Sequence, residues 1–299
     1  MTVTVTLKDA NGNPVTGQTA LLTAEAVTVA NASLSGSWKE NGAGIYAAGY
    51  TAITAGTGLK AVLKLPGWSK SSDSAAYAIT ADGSTAKVSA VVPASPGAPA
   101  DGTVDVVTVT VKDANGNPVG NAAVSLSATN GATLQESVTT DAQGQATAPL
   151  SSKKAGAVTV TAKVAGGKDA GQTATVTFTA DISTAKVSAV VPASPGAPAD
   201  GTVDVVTVTV KDANGNPVGN AAVSLSATNG ATLQESVTTD AQGQATAPLS
   251  SKKAGAVTVT AKVAGGKDAG QTATVTFTAG APAQAASGVK TDKASYAAG

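Results

Sequence analysis

Val107-Thr-Val-Thr-Val-Lys-Asp-Ala-Asn-Gly-Asn-Pro-Val119 is the stretch that decides the fold. Valine alternates with threonine over residues 107–111, and this period of two predicts a strand with one buried face. Asn-Gly tolerates a positive φ and proline cannot pair within a central ladder, so Lys112–Val119 predicts a tight connection between strands. The same eight residues recur at Lys8–Val15 and Lys211–Val218. The chain therefore uses one strand-and-turn unit three times.

The surroundings of this turn are copied as a block. Residues 183–279 repeat residues 84–180 without a difference, at an offset of 99 residues. A period of this length suits one small all-β domain. Each copy carries roughly seven predicted strands with turns about every 8 to 12 residues, which is typical of a β-sandwich. The prolines of Pro93–Pro99 predict an edge segment that crosses between two sheets.

The composition predicts hydrophobic cores with small side chains and few aromatic residues. Apolar residues make up 42% of the chain but aromatic residues only 3%, so the cores must be built mainly from valine and alanine. Each copy of the repeat has a single aromatic residue, Phe178 or Phe277.

Absent residue types exclude several classes of function. The sequence contains no cysteine, histidine or arginine, and its nineteen lysines balance nineteen acidic residues. It therefore lacks the usual zinc, iron–sulfur and copper ligands, the commonest general acid/base, and the bidentate clamp for phosphate. Zero net charge also removes the electrostatic attraction to nucleic acid. We expect a protein that is not an enzyme, that needs no cofactor and that does not bind nucleic acid.

Four segments are expected along the chain. Residues 1–82 form a domain that begins directly on an alternating strand and lacks the lead-in, and so the first strand, that the repeat has. Residues 83–181 and 182–280 are the two copies. Residues 281–299 read as a linker and the lone first strand of a further domain. The sequence has no apolar run that could span a bilayer and no signal peptide at its start, so any export signal is expected outside this chain.

Three motifs carry a family resemblance. The Lys-Asp-Ala-Asn-Gly-Asn-Pro-Val turn, the Thr139-Thr-Asp-Ala-Gln-Gly-Gln-Ala146 turn and the closing Thr173-Ala-Thr-Val-Thr-Phe178 strand resemble the bacterial immunoglobulin-like (Big) domains of the intimin/invasin type. Residues 1–82, with Trp38, Tyr46 and the Thr54–Gly58 stretch, look like a second variety from the same group.

The resemblance implies an architecture, a place and a role. It implies tandem extracellular immunoglobulin-like β-sandwiches, which we expect to be arranged as an elongated rod. Strands of up to about ten residues, at about 3.3 Å each, give about 35–40 Å per domain and about 110 Å for three in line. Such a rod would be a structural stalk or spacer of a bacterial surface or secreted adhesin-like protein. The partners expected are neighbouring domains of the same array and a protein on a host or neighbouring bacterial cell.

Two readings of candidate sites stay open. Asp113-Ala-Asn-Gly-Asn117 is spaced unlike an EF-hand loop and is interpreted as a structural turn, while weak calcium binding at domain junctions through Asp181 or Asp105 remains an alternative. Four aromatic residues of the first domain, which are Trp38, Tyr46, Tyr50 and Trp68, are interpreted as core or junction residues. Alternatively, they form a surface that binds a protein or glycan directly.

The first domain lacks a first strand, and the last residues read as a first strand without a domain. This difference suggests a further hypothesis. Ser287–Gly299 could complement the incomplete first domain of another chain by β-strand addition, in a head-to-tail strand exchange. The alternative is that the chain is an excerpt from a longer array.

Overall fold

The computed structural model describes residues 1–167, 169–265, 268–282, 286–290, 292, 294 and 295. This part of the chain forms three successive domains, and their regular secondary structure is almost entirely β-strand. It contains no helix that is long and apolar enough to cross a membrane. The predicted all-β class with tandem sandwiches is confirmed.

Domain 1 is built from short strands around one long central strand. Its strands are β1 (Thr2–Thr6), β2 (Val27–Val29), β3 (Ala32–Leu34), β4 (Lys39–Gly42), β5 (Ile45–Ala52), β6 (Gly56–Leu59), β7 (Ala61–Leu63), β8 (Ser72–Asp73) and β9 (Tyr77–Ile79). β5 is antiparallel to β1, β3 and β4, and the other strands form β2-β7-β8 and β6-β9. No strand of the described residues pairs with the other edge of β1.

Domain 2 is a complete two-sheet sandwich. Its described residues form β10 (Lys87–Pro93), β11 (Gly97–Pro99), β12 (Asp105–Lys112), β13 (Ala123–Ala128), β14 (Thr133–Leu134), β15 (Ser137–Thr139), β16 (Gln145–Ser151), β17 (Gly156–Val164) and β18 (Gln172–Thr179). One sheet has the order β10-β12-β16-β14 and the other β11-β18-β17-β13-β15. β10 is antiparallel to β12 whereas β11 is parallel to β18 in the opposite sheet, so the predicted crossing between sheets is confirmed.

Domain 3 reproduces this topology. Its strands are β19 (Lys186–Pro192), β20 (Gly196–Pro198), β21 (Asp204–Lys211), β22 (Ala222–Ala227), β23 (Thr232–Leu233), β24 (Ser236–Thr238), β25 (Gln244–Ser250), β26 (Gly255–Val263) and β27 (Gln271–Thr278). The described part of each copy therefore has nine strands where the sequence predicts about seven. The difference arises because the proline bend divides the first segment, and because residues 132–140 divide between the two sheets as β14 and β15.

The cores of domains 2 and 3 are as lean as the composition predicts. Phe178 and Phe277 are buried, and valine, leucine and alanine side chains surround each of them. Alternate residues of β12 face this core, since Val107, Val109 and Val111 are all fully buried. β12, which contains the stretch that decides the fold, therefore contributes its alternate valines to the core between the two sheets.

A second turn packs beneath the connection after β12. Gly144 has a φ of +72°, and a Cβ atom there would lie 2.6 Å from the carbonyl oxygen of Val111 and 3.0 Å from the Cβ of Pro118. Gly44 stands in the same relation to Leu7 and Pro14 in domain 1. Glycine is required at both places because only it combines this φ with so close a backbone approach.

Candidate functional site at the domain joints

The Lys-Asp-Ala-Asn-Gly-Asn-Pro segment, called here the joint turn, is organised by its aspartate. In domain 2, Asp113 Oδ1 accepts hydrogen bonds from the backbone N–H groups of Asn115 (2.9 Å) and Asn117 (2.8 Å). Asp113 Oδ2 accepts one from Asn117 Nδ2 at 2.9 Å. An aspartate that closes its own loop in this way fixes the turn without help from other strands. The Asn117 side-chain amide is thus held in place with its oxygen still to be paired.

Asn117 joins domain 2 to domain 1. Its Oδ1 accepts a hydrogen bond from the N–H of Ala55 at 2.8 Å, and its Nδ2 donates to the carbonyl of Ile53 at 2.9 Å. The N–H of Asp82, in the linker, donates to Asp113 Oδ2 at 3.0 Å. The joint turn is therefore bonded both to the preceding domain and to the segment that connects the two.

The second joint has the same bonds. Asn216 Oδ1 accepts from the N–H of Ala155 at 2.8 Å, and Asn216 Nδ2 donates to the carbonyl of Lys153 at 2.9 Å. The N–H of Asp181 donates to Asp212 Oδ2 at 3.1 Å. One contact is added, from Asn214 Nδ2 to the carbonyl of Ala100 at 2.9 Å.

The linkers are ordered by local caps. Asp82 and Asp181 each accept a hydrogen bond from the N–H of the serine two residues later, which begins a short 3₁₀ turn. The hydroxyl of Thr85 then accepts from the N–H of Ala114 in the joint turn at 3.1 Å, and Thr184 does the same in the next linker. Each linker is thus hydrogen-bonded to the joint turn at both of its ends.

Burial and hydrogen bonding have opposite effects on Asp113. The Asp113 and Asn117 side chains are each only 7% exposed. Burial alone would raise the pKa of Asp113, but hydrogen bonds from the Asn117 side chain and from the N–H groups of Asp82, Asn117 and Asn115 outweigh it and lower the pKa. At neutral pH the joint therefore stabilises the ionised carboxylate of Asp113.

Sequence reasoning recognised the joint turn as a turn but missed that it joins domains. One available signal was that the first domain differs from the copies almost everywhere except in these residues. Such an exception indicates that the turn has a role beyond its own strands.

The predicted calcium alternative remains a prediction. Asp181 Oδ1 accepts from the N–H and hydroxyl of Ser183, and Asp105 Oδ1 accepts from the N–H of Val106. Across the described ranges, no group of three or more acidic, histidine or cysteine side chains lies close enough to hold a metal ion.

Three of the four candidate aromatic residues lie in the core of domain 1. Tyr46 is fully buried and its hydroxyl donates to the carbonyl of Val15 at 2.7 Å. Trp38 and Tyr50 are buried against each other in an edge-to-face arrangement, with ring centroids 6.3 Å apart. Trp68 is 41% exposed. The structure therefore brings three of the rings together inside the domain and leaves Trp68 at the surface.

A groove follows the unpaired edge of β1. It has a volume of about 270 Å³ and is lined by Val3, Val5, Val27, Ala61 and Leu63, among others. In domain 2 the corresponding edge, that of β12, is covered by β10, whose Val88 N–H is also held by the carboxylate of Asp169 at 3.0 Å.

The segment predicted to be a spare first strand, residues 287–299, falls partly outside the described residues. Thr291, Lys293 and Tyr296–Gly299 are not described, and the described residues between 286 and 295 form no strand. Strand exchange therefore stays a prediction.

Comparisons with known proteins agree with the predicted resemblance. Residues 88–179 and 187–278 each match the model of the family described as bacterial Ig-like domain (group 1). The chain is 34% identical over 278 residues, 90% of its length, to the inverse autotransporter adhesin YeeJ of Escherichia coli strain K12. It spans only 12% of that protein's length.

Two solved structures resemble the chain over nearly all of its length. FdeC, described as an Escherichia coli adhesin, is 28% identical with a TM-score of 0.52, and the match covers 93% of this chain and 91% of that one. Invasin, described as a bacterial integrin-binding protein, is 22% identical with a TM-score of 0.53, and the match covers 93% of this chain and 56% of that one. The likeness to invasin is one of fold alone.

Proposed function

Because the chain belongs to the family of group 1 bacterial Ig-like domains, we propose that it is a stiff, non-enzymatic spacer in the stalk of a bacterial surface or secreted adhesin. It would extend a distal binding region away from the cell. The observation that carries this proposal is the repeated joint, in which Asn117 and Asn216 each bond two backbone groups of the preceding domain.

The joints favour stiffness because they bond three elements at once. The joint turn of the following domain, a loop of the preceding domain and the linker are connected through the Asp113–Asn117 pair, and again through Asp212–Asn216. Each bond is worth only about 0.5–1.5 kcal/mol. However, the short linker keeps the partners at high effective concentration, so several weak bonds are enough to hold one orientation.

Location and partners are proposed from the relatives. YeeJ and FdeC are both described as adhesins, which supports an extracellular or cell-surface position for this chain and a protein on a host or neighbouring cell as the partner of the larger protein. The same relatives support a role without catalysis. In this proposal the repeated domains add reach, and recognition belongs to another part of the array.

Small-angle scattering of dilute protein tests the spacer function. The unchanged chain should give the profile of a rod about 110 Å long, from three domains of about 35–40 Å each. A variant with both Asn117→Ala and Asn216→Ala should show the flattened Kratky plot of hinged domains, because it loses the side-chain bonds across both joints.

Asn13→Ala is the matched control. Asn13 occupies the same place in the joint turn of domain 1, where its bonds to described residues all lie within its own turn. This variant should scatter like the unchanged protein. A compact globule, or a double variant as rigid as the control, would contradict the proposal.

A second candidate function has one observation in its favour. Trp68 is the exposed member of the four aromatic residues, and exposed tryptophan is enriched where proteins bind one another. If domain 1 is itself a binding module, Trp68→Ala should abolish adhesion to cells or to a glycan array while the melting temperature changes by less than about 2 °C, since surface substitutions cost little stability. Unchanged adhesion would contradict a binding role for Trp68, and the spacer function would then be the one that is still supported.

A further inference from the structure

Domain 1 carries a joint turn that is already formed but docked to nothing in the described part of the chain. Asp9 Oδ1 accepts from the N–H groups of Asn11 and Asn13, both at 2.8 Å, and Asp9 Oδ2 accepts from Asn13 Nδ2 at 3.0 Å. These distances agree within about 0.1 Å with those at Asp113. The turn therefore needs no rearrangement before it can bind.

Its surroundings differ from those of the other two joint turns. Asp9 and Asn13 are exposed, whereas Asp113, Asn117, Asp212 and Asn216 are each 7% exposed. Within the described residues, the amide oxygen of Asn13 accepts no hydrogen bond, although the oxygens of Asn117 and Asn216 each accept one from a preceding domain. Asp9 and Asn13 thus have the same geometry as the pairs that bind a preceding domain at the other two joints, but they bind no other domain among the described residues.

The matching surface lies at the far end of domain 3. Lys252-Lys-Ala-Gly255 has the same sequence as Lys153-Lys-Ala-Gly156, which receives Asn216 through the carbonyl of Lys153 and the N–H of Ala155. Ala254 is exposed, whereas its counterpart Ala155 is half-buried beneath domain 3. Within the described residues, neither the carbonyl of Lys252 nor the N–H of Ala254 is paired in a backbone hydrogen bond.

We propose that the joint turn Lys8–Pro14 is a docking site for the end of another Ig-like domain of this type, and that the end of domain 3 in a second copy of the chain fits it. Asn13 would accept from the N–H of Ala254 and donate to the carbonyl of Lys252. The N–H of Gly280, which stands 99 residues after Asp181, would reach Asp9 Oδ2. Asn11 would meet the carbonyl of Ala199 as Asn214 meets that of Ala100.

The chemistry of this site favours such a partner over other proteins. The joint turn binds main-chain groups in a fixed pattern, carbonyl and N–H two residues apart, with a third N–H directed at the carboxylate. That pattern depends on the shape of a loop and its following linker, which domains of this kind share. The inference rests on the geometry of the joints and not on the proposed spacer function, since a rod can be stiff without associating.

Sedimentation of the full chain, from about 10 μM to about 1 mM, tests the proposal. The weight-average mass should rise with concentration while the frictional ratio increases, as for end-to-end dimers. Asn13→Ala should weaken association by about tenfold or more, because it removes two hydrogen bonds across the interface. Asn41→Ala, at an exposed asparagine elsewhere in domain 1, is the matched control and should associate like the unchanged chain.

Two further measurements separate this contact from others. Ala254→Pro removes the N–H that would reach Asn13 and should weaken association as Asn13→Ala does, provided that its melting temperature is unchanged. A peptide of residues 287–299 in tenfold excess should leave the association intact. Monomers at 1 mM, equal association of the Asn13→Ala and Asn41→Ala variants, or loss of association with the peptide would each overturn the proposal. The last result would assign the contact to strand addition at β1.

Discussion

Domains 1 and 2 have the same joint turn and different cores. Domain 1 packs Trp38, Tyr46 and Tyr50 together, whereas domain 2 surrounds the single ring of Phe178 with small aliphatic side chains. Both nevertheless have Lys-Asp-Ala-Asn-Gly-Asn-Pro at the end of an alternating strand, which is β1 in domain 1 and β12 in domain 2. A core needs only suitable volume and patterning, so its residues can change together. A turn that contacts another domain has no such freedom.

The receiving loops show the opposite pattern. Asn117 bonds to backbone groups of Ile53 and Ala55, and Asn216 to the same groups of Lys153 and Ala155. Because the receiving atoms belong to the main chain, isoleucine and lysine serve equally well. The joint therefore constrains the sequence of one partner and only the backbone shape of the other, which allows unlike domains to be combined in one array.

The largest predicted effect is the loss of stability when a core aromatic side chain is removed, and it should differ between domains 1 and 2. Phe178→Ala should destabilise domain 2 by about 3–5 kcal/mol, because it empties the one aromatic site of a tightly filled core. Trp38→Ala should cost domain 1 less, since the buried Trp38 Nε1 has no hydrogen-bond partner among the described residues and its removal relieves an unpaired donor. Calorimetry that resolves the transitions of individual domains measures both changes.

The repeat supplies controls for this comparison. Phe277→Ala makes the same change in an identical core and should lower the transition of domain 3 by the same amount. Val104→Ala removes methyl groups from a side chain that is 60% exposed and should change stability by less than about 0.5 kcal/mol. An equal or greater loss from Trp38→Ala than from Phe178→Ala would contradict this prediction.

Local patterns predicted the strands well because strands depend on local alternation. The sequence predicts a strand over Val107–Val111, and the structure has Asp105–Lys112. Alternate buried residues decide this strand, and the sequence shows that pattern directly.

The joints could not be predicted in the same way because their partners are distant in sequence. Ala55 precedes Asn117 by 62 residues, and the bond between them depends on how two domains meet. Likewise, nothing local distinguishes the buried Trp38 from the exposed Trp68. What the sequence did offer was the repetition of one turn in domains that otherwise differ, which indicates that the turn has a role beyond its own strands.

A smaller predicted effect is the weakening of the domain joint at low pH, and it allows the joint turns of domains 1 and 2 to be compared. The pKa of Asp113 is lowered in the folded chain, since hydrogen bonds outweigh the burial that would raise it. A lowered pKa means that its bonds contribute stability above the unfolded value of about 3.9, and that this contribution is lost as the pH falls through the folded value. The joint between domains 1 and 2 should therefore loosen below about pH 4. The protection of the N–H of Ala55 against hydrogen exchange, measured relative to the intrinsic exchange rate at each pH, should therefore fall several-fold as the pH drops through this range.

Asp9 provides the contrast within the same molecule. The hydrogen bond from the Asn13 side chain is the largest cause of its own lowered pKa, and its turn contacts no other domain among the described residues. Asp113→Asn should loosen the joint at neutral pH and flatten the acid response at Ala55, whereas Asp9→Asn should leave both unchanged. If Asp9→Asn altered the Ala55 response equally, the acid effect would belong to the whole chain. An Asp113→Asn variant that kept the full response would place the titrating group elsewhere, because the carboxylate at the joint would then be absent.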